Sequence, residues 1–262
     1  MMLEETMREL ERLGTEQTRK TYGRHGAPQP LFGVSYADLG KLTKRIKRDQ
    51  ALAEALWATG NTDARTLATM IADPAAFTPE KLDAWLGGLR YHVLIDALMR
   101  DVAAHHGGAR AMMERWTASE DEHLGRAGWT LLGQLAADEA SALPDALFEE
   151  RLAAIEARIH GAKNRARQAM NLALISIGGR NERLRKAAIA AAGRIGLVEV
   201  DHGDTSCKTT EAIPYIEKVW ARKEKRPAGA KAAPRAKAAP AAKAASGVKA
   251  PSPAAKGKSE KV

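Results

Sequence analysis

The chain has 262 residues, 45% hydrophobic and 28% charged, enough for one domain of ordinary size or two small ones with a sizeable core. No apolar run approaches the ~20 residues that a membrane-spanning helix needs, and "MMLEETMRELERLG" is charged from its third residue, unlike a signal peptide, so a cytoplasmic protein is expected. A lone cysteine, Cys207, excludes an internal disulfide and any Cys-rich zinc module.

Aromatic residues make up 5%, alanine is abundant, and no run of alternating β-branched residues stands out, so the body reads as helical throughout. In chain order, amphipathic segments are expected at 2–13, 35–48, 50–59, 62–72, 79–88, 91–106, 120–137 and 144–159, separated by turns carrying Gly, Pro, Asn or Asp. The clearest period follows in "NRARQAMNLALISIGG", where Met170, Ala173, Leu174 and Ile177 fall at i, i+3, i+4 and i+7. Gly178 and Gly179 then end that helix, and Asn181 is placed to cap "ERLRKAAIAAAGRIG". A last helix is expected in "TTEAIPYIEKVW", with Thr209 able to cap and Pro214 in or beside the opening turn. Helices of this length on short connections suggest antiparallel pairs stacked as a superhelix, although a compact helical domain without repeats would read almost the same.

The net charge of +9 is unevenly placed: residues 221–262 hold 12 Lys/Arg against 2 Glu, and the first 220 hold 29 Lys/Arg against 30 Asp/Glu. The domain is therefore expected at 1–220, with 221–262 a disordered Ala/Lys/Pro-rich tail that either attracts a polyanion without reading its sequence or only solubilises the chain. Within the body, basic clusters occur at "KLTKRIKR" (41–48), "KNRAR" (163–167) and "RNERLRK" (180–186). Stacked helical pairs would bring them onto one wall suited to a duplex, unless they are ordinary solvated faces.

Phosphate-loop, HExxH and GxSxG motifs are absent, which removes the commonest NTPase, zinc-protease and hydrolase readings. "VDHGDTSCK" gathers Asp201, His202, Asp204 and Cys207, but its glycine and its place before a helix read as a turn rather than a metal site, and no metal or cofactor is expected. His105, His106 and His123 have no ligand spacing. In "YHVLIDAL", Leu94, Leu98 and Val102 recur at helical spacing with Ile95 and Tyr91 beside them and face the core, while His92, Asp96 and Arg100 share another face. An i, i+4 ion pair with Arg100 would account for Asp96, as would a ligand.

Several segments taken in order resemble the AlkD-like DNA alkylation repair family of HEAT-like helical solenoids. They are "YGRHGAPQPLFGVSYADLGKLTKRI", "LWATGNTDARTLATMIADP", "WLGGLRYHVLIDAL", "RAGWTLLGQLA", "NRARQAMNLALISIGGRNERL" and "RIGLVEVDHGDTSCKTTEAIPYIEKV", spanning about residues 20–220. The resemblance implies an all-α HEAT-like superhelix and a DNA glycosylase that hydrolyses the N-glycosidic bond of N3- or N7-alkylated purines in duplex DNA without base flipping. Asp96 matches the aspartate that lies against the deoxyribose and stabilises its developing positive charge, and Arg126 matches an arginine on the DNA backbone. Where catalytic members carry two tryptophans, this chain has His92, with Tyr91 adjacent, and Asn171; these three are the expected lesion or sugar contacts. Lys163, Arg165, Arg167, Arg183, Lys41 and Lys44 are expected to hold the DNA backbone with Arg126, in a monomer associated with the nucleoid. Two other readings stay open: a non-catalytic solenoid recognising damaged or distorted duplex, and a helical scaffold for another protein.

Overall fold

The computed structural model describes residues 1–225; the basic tail expected beyond them lies, from residue 226 onward, outside the described residues. Among the described residues thirteen α-helices follow one another: α1 (Leu3–Leu13), α2 (Glu16–Arg24), α3 (Tyr36–Ile46), α4 (Gln50–Ala58), α5 (Thr62–Ile71), α6 (Pro79–Gly87), α7 (His92–Asp101), α8 (Ala109–Thr117), α9 (Glu122–Ala137), α10 (Asp145–Arg158), α11 (Asn164–Gly178), α12 (Glu182–Ile195) and α13 (Ala212–Glu224). No strand occurs among the described residues.

Local chemistry explains most of these starts. The side chains of Thr15, Ser35, Asp49, Asn61, Thr78, Asp121 and Asn181 each accept a hydrogen bond from a first-turn amide. Such a cap contributes about 1 kcal/mol. Thr209 does not cap α13, contrary to expectation: Glu211 occupies that position without a side-chain bond, and the Thr209 hydroxyl lies 3.2 Å from His202 Nε2. Helices α2 and α8 have no counterpart among the expected segments. Helix α2 buries none of its residues and so shows no apolar stripe, while α8 opens at Gly108 with no side-chain cap to mark it. The expected helix 91–106 is shorter than foreseen, ending at Asp101 before a 3-10 turn at Ala103–His105.

Helices α3, α5, α7, α9, α11 and α13 pack side by side in that order as one layer, with α4, α8 and α12 backing α5, α9 and α11. This sequential stacking is the expected all-α helical-repeat superhelix. One continuous core runs through it, with Trp116, Trp129 and Phe148 fully buried and the Met170, Ala173, Leu174 and Ile177 stripe closing onto it. Each fully buried large apolar side chain contributes roughly 1.5–3 kcal/mol. Helices α8 and α9 touch through Gly128, where a Cβ would lie 2.4 Å from the backbone nitrogen of Thr117.

The N-terminal elements are tied to the layer by Asp63 of α5, which is 2% exposed. Its carboxylate accepts from the backbone N–H groups of Phe32 (2.7 Å), Gly33 (2.9 Å) and Val34 (2.9 Å). Burial pushes this carboxyl above its ordinary range, against the pull of the three N–H bonds. Gly33 has φ +82 and sits against the backbone of Arg19, so that loop needs a residue without a Cβ.

Candidate nucleic-acid interface

Helix α7 buries Leu94, Ile95 and Leu98 and leaves Asp96 on the opposite side with 27% of its side chain exposed. The carboxylate meets the guanidinium of Arg126 from α9 through two parallel bonds, Nε to Oδ1 at 2.9 Å and Nη2 to Oδ2 at 2.6 Å. The Thr130 hydroxyl donates a third bond to Oδ1 at 3.0 Å. Arg126 is 2% exposed, and its Nη1 donates to Gln168 Oε1 (3.0 Å) and to the Arg165 carbonyl (3.2 Å). One arginine therefore joins α7, α9 and α11, and its planar fork suits that task because both faces of the pairing are geometrically fixed.

The i, i+4 pair between Asp96 and Arg100 does not form. Arg100 donates instead to the neighbouring Asp101 through Nε and Nη2, both at 2.7 Å, and Asp101 also accepts from Thr69 of α5 at 3.1 Å. Arg126, almost wholly buried, would be left without a carboxylate if Asp96 turned to Arg100, whereas Arg100 has Asp101 as its partner.

Three histidines feel the positive charge of Arg165. His92 opens α7, His25 follows the last residue of α2, and His202 sits in the connection between α12 and α13. Burial, then the charges of Arg126 and Arg165, push His92 down to about 2. His25 and His202 are also held below the ordinary imidazole range by burial and then by Arg165. The His202 loop is fastened to the start of α11: Asn164 Nδ2 donates to the Asp201 carbonyl and the Asp201 N–H donates back to Asn164 Oδ1, both at 2.8 Å. Among the described residues no group of three or more His, Cys, Asp or Glu is arranged to hold a metal ion.

The expected contact residues divide. Tyr91 is 5% exposed and part of the core, so it offers no ring to a lesion. Asn171 is 4% exposed and donates from Nδ2 to the Thr210 carbonyl at 2.7 Å; it braces the loop over α11 rather than facing a sugar. Arg126, buried on Asp96, has no free face for a phosphate, and Arg167 donates to the carbonyls of Glu199 (3.0 Å), His160 (3.2 Å) and Ala162 (2.8 Å), holding the ends of two loops. Arg183 faces α10 through a two-bond pair with Glu149 at 2.7 and 2.8 Å. Arg183 therefore belongs to the backing helices, whereas Arg185 donates to Glu217 of α13 and Arg180 to the carbonyls of Ala136 and Asp138 at the end of α9. Lys41 pairs with Asp38, Lys44 and Lys163 are exposed, and Arg165 lies half-buried beside the ion pair. His25, Thr130, Gln168 and His202 join the site without having been singled out as contacts. Only the shared helix faces of Asp96 with His92, and of Thr130 with Arg126, could have pointed to it.

A superhelix of sequentially stacked helices, with the aspartate–arginine pair on one of its layers, defines a HEAT-like helical-repeat architecture. The family model described as DNA alkylation repair enzyme matches residues 6–216, and the chain belongs to that family, in its AlkD-like form. An uncharacterised protein of Listeria innocua is 31% identical over 216 residues, covering 80% of this chain and 93% of the relative. An uncharacterised protein of Listeria monocytogenes is 29% identical with the same coverage, 80% and 93%. A solved structure aligns with a TM-score of 0.78 and 32% identity, covering 85% of this chain and 95% of its own; it represents a new family of proteins related to the HEAT-like repeat DNA glycosylases with affinity for branched DNA structures. No helix among the described residues is long and apolar enough to cross a membrane.

Proposed function

We propose that this protein binds branched or distorted DNA through the layer that carries Asp96, and that Asp96 serves to hold Arg126 rather than to drive hydrolysis of a glycosidic bond. The observation that carries this reading is the engagement of both Asp96 oxygens by the buried guanidinium and the Thr130 hydroxyl. A carboxylate that stabilises positive charge developing on a sugar works through uncompensated negative charge, and a paired guanidinium cancels most of it. The surroundings point the same way: Arg165 and the imidazoles that feel its charge suit a phosphate better than a cationic alkylpurine, and Tyr91, the ring expected at the lesion, is buried in the core. Branched-DNA affinity in the solved relative supports junctions as the preferred form. On this reading the protein is a monomer working at the nucleoid in the cytoplasm.

Alkylpurine excision is the second reading, favoured by the 27% of the Asp96 side chain that stays open to solvent. One set of assays separates the two. Binding is measured for a four-way junction, a linear duplex and a duplex carrying N7-methylguanine, and free base is measured from the last. The binding reading expects at least about tenfold preference for the junction, a difference of about 1.4 kcal/mol, and base release at the spontaneous rate. Release by the natural chain that disappears in Asp96→Asn would overturn it in favour of excision.

A further inference from the structure

A cavity of about 600 Å³ opens between the last turns of α12, the connection that follows it and the start of α13, with buried Leu174 of α11 at its base. That volume lies within the range of about 300–1,000 Å³ that binding pockets occupy. Its lips are apolar: Leu197 is 73% exposed and Ile213 37%. Gly193 of α12 lines it too. Glycine inside a helix is unfavourable, and no heavy atom lies within 4 Å of where its Cβ would be, so close packing does not demand it. The missing side chain is what leaves the cavity open on that side.

Two walls of the cavity carry unmet main-chain groups. Along residues 197–200 exposure alternates, with Leu197 and Glu199 exposed and Val198 7% exposed between them, the period of an extended chain. Among the described residues, the main chain of this stretch has one hydrogen-bond partner: the Glu199 carbonyl accepts from Arg167 at 3.0 Å. Residues 209–211 use the Thr210 carbonyl for Asn171 (2.7 Å) and the Glu211 carbonyl for the Tyr215 N–H (3.3 Å), and their own N–H groups meet no acceptor among the described residues. Neither stretch is paired as a strand. An extended edge with free N–H and C=O groups is a template for a further strand.

The charge of the lining selects the occupant. Its charged residues are Glu199 and Glu211, both exposed, and neither carboxylate makes a hydrogen bond or ion pair among the described residues. Two unpaired carboxylates repel a phosphate backbone and attract a cation. We propose that this groove takes an extended segment of a partner protein. The segment's main chain pairs along residues 197–200, alternate apolar side chains enter the cavity, and a Lys or Arg beside them meets Glu199 and Glu211. The site is separate from the Asp96–Arg126 pair, so a partner held there leaves DNA binding intact.

Random peptides of about ten residues, displayed on phage and selected against the full chain, test this. Enrichment of sequences with apolar residues at alternate positions and a neighbouring Lys or Arg is expected. A synthetic peptide from that set should bind the full chain in fluorescence anisotropy and lose about tenfold when its cation is changed to glutamate. Gly193→Leu fills the cavity and places a better helix former in α12; it should abolish peptide binding, melt no lower than the natural chain and bind a four-way junction as before. Glu199→Gln combined with Glu211→Gln should weaken the peptide about tenfold at low salt and less at high salt. Enrichment of no such peptides, affinity indifferent to the peptide's charge, or affinity unchanged in Gly193→Leu overturns the proposal. If Gly193→Leu weakens junction binding instead, the cavity serves nucleic acid and the proposal also fails.

Discussion

Asp63 and Asp96 are carboxylates on neighbouring helices of one layer, and they face different demands. Asp63, 2% exposed, is met by three backbone N–H groups and by no cation, and all three belong to one loop. Asp96, with 27% of its side chain open, is met by a guanidinium and a hydroxyl that belong to α9. Backbone donors cannot rearrange without unfolding the loop, so Asp63 is fixed architecture. Side-chain donors can change partners, so the Asp96 region can respond to a charged ligand while α7, α9 and α11 stay in place.

The strongest attack on this contrast is Asp63→Ala. It leaves three N–H groups without an acceptor in or near the core and should cost about 4 kcal/mol, lowering the melting temperature by roughly 10 °C in a denaturation scan. A loss below about 1 kcal/mol would mean that water or another acceptor replaces the carboxylate, and the contrast would go with it. Arg126→Met comes next. It removes the clamp while keeping volume, and the partial exposure of Asp96 limits the cost to about 2 kcal/mol in urea unfolding. A double-mutant cycle with Asp96→Asn should recover part of that loss; strict additivity would show that the two side chains do not act together.

The smallest effect is a pH dependence confined to the Asp96 side. An unfolded chain protonates His92 near 6.5, whereas the folded protein keeps it neutral down to about 2. The folded value is the lower one, so this contribution is complete above about pH 6.5 and is lost as pH falls toward 2. At pH about 5.5 the loss is roughly 1 kcal/mol, and His92→Gln should remove that part of the acid sensitivity in melts at the two pH values.

Helix positions were legible wherever an apolar stripe or a cap marked them, as in the Met170–Ile177 period and at Asn181. Helix α2 escaped because its side chains bury nothing and no period-3.6 signal arises. At the site, Asp96, His92, Arg126 and Arg165 were all legible, but helical spacing offered Asp96 only Arg100 as a protein partner. Arg126 stands 30 residues away, and only stacking brings it close. The same applies to His25 and His202, which sit at a helix end and in a loop, where no spacing rule operates. Buried Tyr91 and Asn171 show the opposite error: a family position gives a residue's place along the chain, while its exposure depends on the packing around it.

The doubled bond between Asn164 and the Asp201 backbone holds the His202 loop against the start of α11. Because the loop is anchored while the chain folds, little freedom remains for it to lose later, and an incoming strand need only fit a shape that already exists. On the proposed DNA-binding reading, a surface fixed in advance in this way favours a strand that already bends over one that must first be deformed.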